Sequence, residues 1–222
     1  MPGMNVRDAY RLWSASYDAD PNPILALERR VISERMGSVT GQCLLDIGTG
    51  TGYWLAYARA RGAHAFGIDL SEEMLSEAAK KDRLRGCLIR ANMNRLPVRQ
   101  AVADIAICSM AIGYIADIRN LFRELARVSQ SVIVSDLHPG AAEAGWQRGF
   151  ETTDGRFQLE HFIHTAAQLD EAASASGFHS DWRSVAYLGE LEREVFVRAG
   201  RENSFAAACR VPALLATCWI RS

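Results

Sequence analysis

The run Leu44-Leu45-Asp46-Ile47-Gly48-Thr49-Gly50-Thr51-Gly52 constrains this chain more than any other stretch. A short apolar strand ends in a carboxylate and passes directly into a glycine-spaced turn. Glycine turns a backbone sharply and lets a ligand approach it closely. The helix expected after the turn offers free N–H groups and the positive end of its dipole. A second strand, Phe66-Gly67-Ile68-Asp69, ends in another carboxylate. An acid at that strand tip can accept two ribose hydroxyls. Together these features describe a pocket for a nucleoside.

Around this turn, short apolar strands alternate with amphipathic helices. Strands are expected over 43–47, 63–68, 87–90, 103–108 and 131–135. Helices are expected over 51–60, over 72–80 with Ser71 as cap, and over 118–128 with Asp117 as cap. Continuous apolar strands between helices predict an α/β fold whose parallel sheet is covered on both faces. Ahead of it, a helix is expected from Asp8 to about Asp18, carrying Tyr10, Trp13 and Tyr17. A second helix opens at Asn22-Pro23 and stops at Gly37. After Asp136 the pattern changes. Residues 138–149 have no clear period. Residues 150–164 predict a hairpin turning at Asp154-Gly155, with His161 and His164 on opposite faces of its second arm. Thr165 and Gln168 form a capping box for a helix ending near Gly177. Strands over 182–187 and 212–220 flank a partly helical stretch over 190–205.

Asp46-x-Gly48-x-Gly50-x-Gly52 followed by Asp69 resembles the cofactor motifs of class I S-adenosylmethionine (SAM)-dependent methyltransferases. A dinucleotide dehydrogenase usually reads G-x-G-x-x-G, and its third glycine would fall here at Tyr53. The resemblance implies a Rossmann-like doubly wound sheet of seven strands in the order 3-2-1-4-5-7-6, the last strand antiparallel. It also implies a single domain over 1–222 with an N-terminal helical lid (1–37) and a substrate-side insertion (138–164). It implies SAM as cofactor and S-adenosylhomocysteine as product. Within it, Asp46 and Gly48 would lie beneath the methionine part, Gly48 and Gly50 offering close backbone approach and Thr49 a further cofactor contact, with Asp46 acting on the ammonium through water or by fixing the turn. Asp69 would hold the ribose, and Leu70 and Met74 would flank the adenine, although Met74 also reads as ordinary helix core. Asn92 stands where the family often has Asp for the adenine amino group, with Met93 beside it. Leu96-Pro97-Val98 resembles the corresponding turn of the small-molecule branch, of which the ubiquinone/menaquinone-biosynthesis type is the nearest. Ser109 would line the transfer centre, through its carbonyl rather than its hydroxyl. Tyr17 would close the pocket over the sulfonium, as an aromatic face attracts a cation.

Methyl transfer is an in-line displacement, and a base is needed only where the acceptor must lose a proton. His138, just past the fifth strand, is the candidate base. The alternative is a loop histidine that caps the strand or contacts substrate. Tyr10, Met110, Trp146 and His161 are candidate acceptor contacts, with Phe150 as further apolar wall. The implied reaction is O- or C-methylation of an aromatic or polyketide-like small molecule. A SAM-binding module without transfer activity and an NAD-dependent oxidoreductase are the alternatives.

Composition bounds the partners. Hydrophobic residues make up 49% of 222, which supports one sizeable core. A net charge of −1 with no long basic run argues against nucleic acid. The five cysteines are scattered without a CxxC pair, so buried, reduced thiols and no metal are expected. The N-terminal residues lack an apolar secretion core, and no run is long enough for a membrane span. A cytoplasmic protein is expected, with a homodimer left open.

Overall fold

The structure, a computed structural model, describes residues 6–152 and 155–221. Helices α1 (Val6–Trp13) and α2 (Pro23–Arg35) precede an alternating core: β1 (Cys43–Ile47), α3 (Tyr53–Ala60), β2 (His64–Asp69), α4 (Glu72–Ala78), β3 (Leu88–Arg90), β4 (Ala103–Ser109), α5 (Arg119–Val128) and β5 (Ser129–Leu137). There follow α6 (Pro139–Glu143), the hairpin β6 (Gly149–Thr152) and β7 (Gly155–Gln158), α7 (Ala166–Ser174), β8 (Phe178–Tyr187), α8 (Glu190–Arg198), α9 (Phe205–Ala208) and β9 (Pro212–Arg221).

The main sheet has 7 strands in the order β3-β2-β1-β4-β5-β9-β8, and β6-β7 form a separate pair. Strands β1 to β5 run parallel, and β9 lies antiparallel between β5 and β8. Setting the separate hairpin aside, this is the expected order with its antiparallel last strand. The chain order reverses between β1 and β4, so the crevice for a ligand opens at their carboxyl ends.

Two apolar layers cover the sheet. On one face, Leu27, Val31 and Ile32 of α2 pack with Trp54 and Leu55 of α3 against Leu44, Ile107 and Ile133. On the other, Leu121, Phe122 and Leu125 of α5 and Leu169 of α7 pack against Val132, Val134 and Trp219. A third, small core is aromatic. Trp13 of α1 stacks on Phe150 of the hairpin with ring centroids 5.0 Å apart, and Ala9 and Leu159 complete it. The lid therefore packs on the insertion as well as on the sheet domain. Asp18 anchors it by accepting from Thr51 Oγ1 at 2.7 Å and pairing with Lys81 at 2.7 Å.

Local chemistry sets the boundaries. Asn22 accepts the N–H groups of Ile24 and Leu25 at 3.0 and 3.2 Å, with Pro23 opening α2 as expected. Ser71 caps α4, and the Thr165/Gln168 capping box is formed. Asp117 accepts the N–H of Arg119 at 3.0 Å, although the helix begins one residue later than expected.

Four expectations need correction. The first helix ends at Trp13, where Trp13 Nε1 donates to Asp20 at 2.6 Å across a turn. Strand β5 runs on to Leu137, because β9 pairs with it from Ser131 to Leu137. The stretch after Asp136 is not without regular structure: Pro139 starts α6, a short helix. The second hairpin arm stops at Gln158, and Phe162 N–H donates instead to Gly113 O at 2.7 Å. His161 and His164 thus lie on irregular backbone, and the two-face argument does not apply to them. Asp154 of the expected turn lies outside the described residues. Replacing Asn22 with Ala should cost about 1 kcal/mol by removing two capped N–H groups. Urea unfolding with an unchanged m-value checks it.

Candidate active site

A cavity of about 480 Å³ opens at the carboxyl ends of β1, β2 and β4. Its floor is the turn from Gly48 to Gly52. Gly48 has φ +72°, and a Cβ on it would stand 2.5 Å from Ala111 Cβ, so only glycine fits. Gly50, with φ +53°, would meet nothing within 4 Å, so the space above it is open to a ligand.

Asp46 holds this floor. Its Oδ2 accepts Thr49 Oγ1–H at 2.6 Å and the Leu55 N–H at 3.0 Å. The carboxyl is 1% exposed. Burial pushes its pKa to about 7, against the two hydrogen bonds that favour the anion. Of its two expected roles, the geometry carries the fixing of the turn. Asp69 stands across the floor. Its two oxygens accept the N–H groups of Gly50 and Ser71, each at 2.8 Å. Burial raises its pKa while these donors oppose the rise. Each carboxylate oxygen keeps a further lone pair for a hydroxyl.

Every other expected cofactor residue lines the same cavity: Tyr17, Gly48, Thr49, Gly50, Leu70, Met74, Asn92, Met93 and Ser109. Met74 is also wholly buried helix core. Asn92 Oδ1 already accepts the Asn94 N–H at 2.9 Å, which orients it and leaves one lone pair. Arg127 ties the neighbouring turn to α5, donating to Leu96 O and Val98 O at 2.9 and 2.7 Å. Tyr10 and Met110, expected on the acceptor side, border this cavity too.

A second cavity of about 810 Å³ lies between lid, insertion and the α8–α9 segment. Tyr17, Leu25, Met110 and Tyr114 belong to the walls of both cavities. Met110, a non-glycine residue at φ +52°, turns the backbone at this junction. Trp13, Trp146, Phe150 and Phe196 give the second cavity apolar walls.

Two expectations are not met by the geometry. His138 borders neither cavity. It is the N-cap of α6, its Nδ1 accepting the Gly140 N–H at 3.0 Å. Partial burial lowers its pKa despite Glu143. The proline at the first helical position and the Gly140 N–H make that capping geometry, so His138 caps a helix rather than the strand and stands away from both cavities, at a position where neither a general base nor a substrate contact would sit. His161 likewise borders neither cavity, and its Nδ1 lies 3.2 Å from Leu159 O.

Sequence reasoning missed three groups. Glu28, 1% exposed, projects from α2 into the first cavity. Arg29 borders it as well, its guanidinium 3.9 Å over the Tyr53 ring. Arg148 is buried in the second cavity, where it pairs with Asp136 and donates to Met110 O at 2.5 Å. Burial would drive the guanidinium toward neutrality, and Asp136 together with the Tyr114 and Tyr10 phenols outweighs it, so its pKa is raised. Among the described residues the buried Arg148 Nε has no hydrogen-bond partner. Glu28 did leave a signal: it sits four residues from both Ile24 and Ile32, on the apolar face of its helix. Arg148, alone in a Gly- and Ala-rich stretch, left none. Among the described residues no group of three His, Cys, Asp or Glu side chains can hold a metal, and no helix is long and apolar enough to cross a membrane.

Residues 45–151 match the family model described as a methyltransferase domain. A malonyl-[acyl-carrier protein] O-methyltransferase of Hamiltonella defensa is 31% identical over 118 residues, covering 50% of this chain and 45% of that protein. A demethylmenaquinone methyltransferase of Halalkalibacterium halodurans is 33% identical over 109 residues, covering 46% and 44%. The matches thus span less than half the length of these two relatives. The crystal structure of an S-adenosylmethionine-dependent methyltransferase from Mesorhizobium loti superposes with a TM-score of 0.69 at 23% identity, covering 90% of this chain and 100% of that one. That likeness is one of fold. Segment 45–151 thus resembles a methyltransferase domain and the chain shares the fold of an S-adenosylmethionine-dependent methyltransferase, and the turn, the two strand-tip acids and the open space above Gly50 fit that cofactor.

The Asp46 carboxyl gives a pH prediction. Its folded pKa lies above the unfolded value of about 3.9, so its contribution to stability is complete at acid pH and is lost as pH rises toward about 7. The melting temperature of Asp46→Asn minus that of the wild type should therefore grow between roughly pH 4 and pH 7 and level off above. Thermal unfolding of the ligand-free proteins across that range reads it.

Proposed function

We propose that this chain, whose residues 45–151 match the methyltransferase-domain family model, transfers a methyl group from SAM to a small-molecule acceptor, releasing S-adenosylhomocysteine. The observation that carries the reading is the pairing of two cavities through one wall of Tyr17, Leu25, Met110 and Tyr114. One compartment suits a nucleoside with an amino-acid tail and the other an apolar molecule. A module that only bound the cofactor would have no use for the second.

SAM, when bound, supplies a methyl group activated on a sulfonium. The chain's residues supply position. Asp69 holds the ribose hydroxyls, and the Gly48–Gly50 backbone admits the ligand closely. Tyr17 and Tyr10 close the lid side. Burial holds both phenols well above their usual pKa, so they stay protonated and uncharged at neutral pH. Their role is to shape the junction, exclude water and face a cation with aromatic surface.

For the acceptor, an aromatic or polyketide-like molecule methylated on oxygen or carbon suits the Trp13, Trp146, Phe150 and Phe196 walls. The demethylmenaquinone relative supports it. A carboxylate acceptor is a second reading, favoured by the guanidinium of Arg148 at the border of that cavity and by the malonyl relative. A carboxylate is nucleophilic without losing a proton at neutral pH, which agrees with His138 being engaged as a helix cap. On either reading the partner is a small molecule or a carrier-bound acyl group, and the setting is the cytoplasm.

SAM and S-adenosylhomocysteine should raise the melting temperature, and NAD should not. Stabilisation by NAD alone would return the chain to the oxidoreductases. Asp69→Ala should weaken SAM by roughly tenfold to a hundredfold, the value of a hydrogen-bonded charge, in a calorimetric titration. Incubation with SAM and a panel of phenols, enols and free carboxylic acids should release S-adenosylhomocysteine with one acceptor class. Release with none would leave a binding module.

A further inference from the structure

The buried carboxylate of Glu28 has no role in the fold that a neutral residue could not fill. Its Oε1 accepts Ser109 Oγ–H at 2.7 Å, Ser135 Oγ–H at 2.9 Å and Trp54 Nε1–H at 3.2 Å. These donors come from β4, β5 and α3, and all three are neutral. Oε2 has only a 3.3 Å contact to the same indole. Among the described residues Glu28 forms no ion pair, although Arg29 adjoins it in sequence. A buried charge without a counter-charge costs several kcal/mol. Burial raises its pKa and the three donors oppose the rise.

Asp46 is less suited to meet a ligand's cation. Its hydrogen bonds lie within its own turn, to Thr49 and Leu55. Glu28 instead reaches the cavity from the lid helix and touches Ser109, at the strand tip where the two cavities approach.

We propose that Glu28 is the counter-charge for the ammonium group of the cofactor's amino-acid end, with Arg29 beside it on α2 facing the carboxylate. Consecutive residues of one helix then read both charges of a zwitterion, and α2 becomes part of the cofactor site. The inference rests on the SAM reading above.

The test compares three ligands on the full chain by calorimetry: S-adenosylhomocysteine, its deaminated analogue with the carboxylate kept, and methylthioadenosine, which lacks the amino-acid end. Wild-type protein should prefer S-adenosylhomocysteine to the deaminated analogue by about tenfold or more. Glu28→Gln, which keeps the shape and the acceptor oxygen, should remove that preference while both other ligands stay within about twofold. Equal losses for all three would make Glu28 a packing residue and overturn the proposal, as would an unchanged preference. If Glu28→Gln does not fold, Glu28→Asp, which withdraws the charge by one methylene, should give a smaller loss confined to S-adenosylhomocysteine, and an equal loss for all three overturns the proposal in the same way. Wild-type protein that binds none of the three would instead defeat the cofactor reading itself.

Discussion

The site depends on a carboxylate bound up in its own turn. Asp46 ends β1 and draws in Thr49 Oγ1 and the Leu55 N–H, so the intervening residues must turn back on themselves. Only residues that accept positive φ can do so. Gly48, Gly50 and Gly52 all do, and at Gly48 a methyl group would collide with Ala111. The same turn fixes where α3 begins. It also sets the Gly50 N–H on Asp69 at 2.8 Å, so the two strand-tip acids are joined through one loop. A buried carboxyl pushed to about 7 opposes stability at neutral pH. Its retention there is the kind of local conflict that functional sites carry and the rest of the fold offsets.

Around this rigid floor the walls are made of a different material. Lid and insertion share a four-residue apolar core with aromatic neighbours, and the lid is moored by an Asp18–Thr51 hydrogen bond and a half-exposed Asp18–Lys81 pair. Exposed pairs contribute little, of order 0–1 kcal/mol. The lid is thus held far less firmly than the sheet and can separate from the floor at modest cost. Its second helix is held differently. Pro23–Arg35 packs into the main core and carries Glu28 into hydrogen bonds with three core elements. The cover therefore has a fixed part, α2, and a loosely held part, α1 with its following turn and Tyr17.

The floor was legible in the sequence because its requirements are local. A glycine at positive φ, a carboxylate at a strand tip, and Asn22-Pro23 or Thr165/Gln168 at a helix start are each satisfied within a few residues. The sheet order was legible from a family resemblance and agrees with what alternating apolar strands demand. The acceptor side was not legible, because its groups depend on which distant segments meet. Arg148 matters through Asp136 and Tyr114, and Tyr114 through its 2.6 Å bond from Tyr10. No spacing announces these. The error at His138 has a simple source. A histidine before Pro-Gly at a strand end reads as a free loop side chain, whereas Pro139 starts a helix and turns the imidazole into its cap. Glu28 was the avoidable omission, since a lone charge on the apolar stripe of a helix is costly unless something meets it.

The loss of His138 as a base changes what kind of acceptor the geometry favours. The wall between the cavities offers Leu25, Met110 and two phenols, and the Tyr17 phenol is held protonated by burial. Glu28 is near the junction, its Oε1 accepting three hydrogen bonds while burial raises its pKa. On the proposed reading a wall of this composition serves to align reactants. Alignment is enough where the acceptor is already an anion or a readily ionised enol, because the displacement then needs only an in-line approach. On the proposed reading, selection among such acceptors rests on Trp146, Arg148 and Phe150 of segment 138–164. Arg148 borders that cavity with its charge already balanced by Asp136, so it would act there as a paired guanidinium rather than as an unscreened cation, and specificity would lie in the segment least like the rest of the fold.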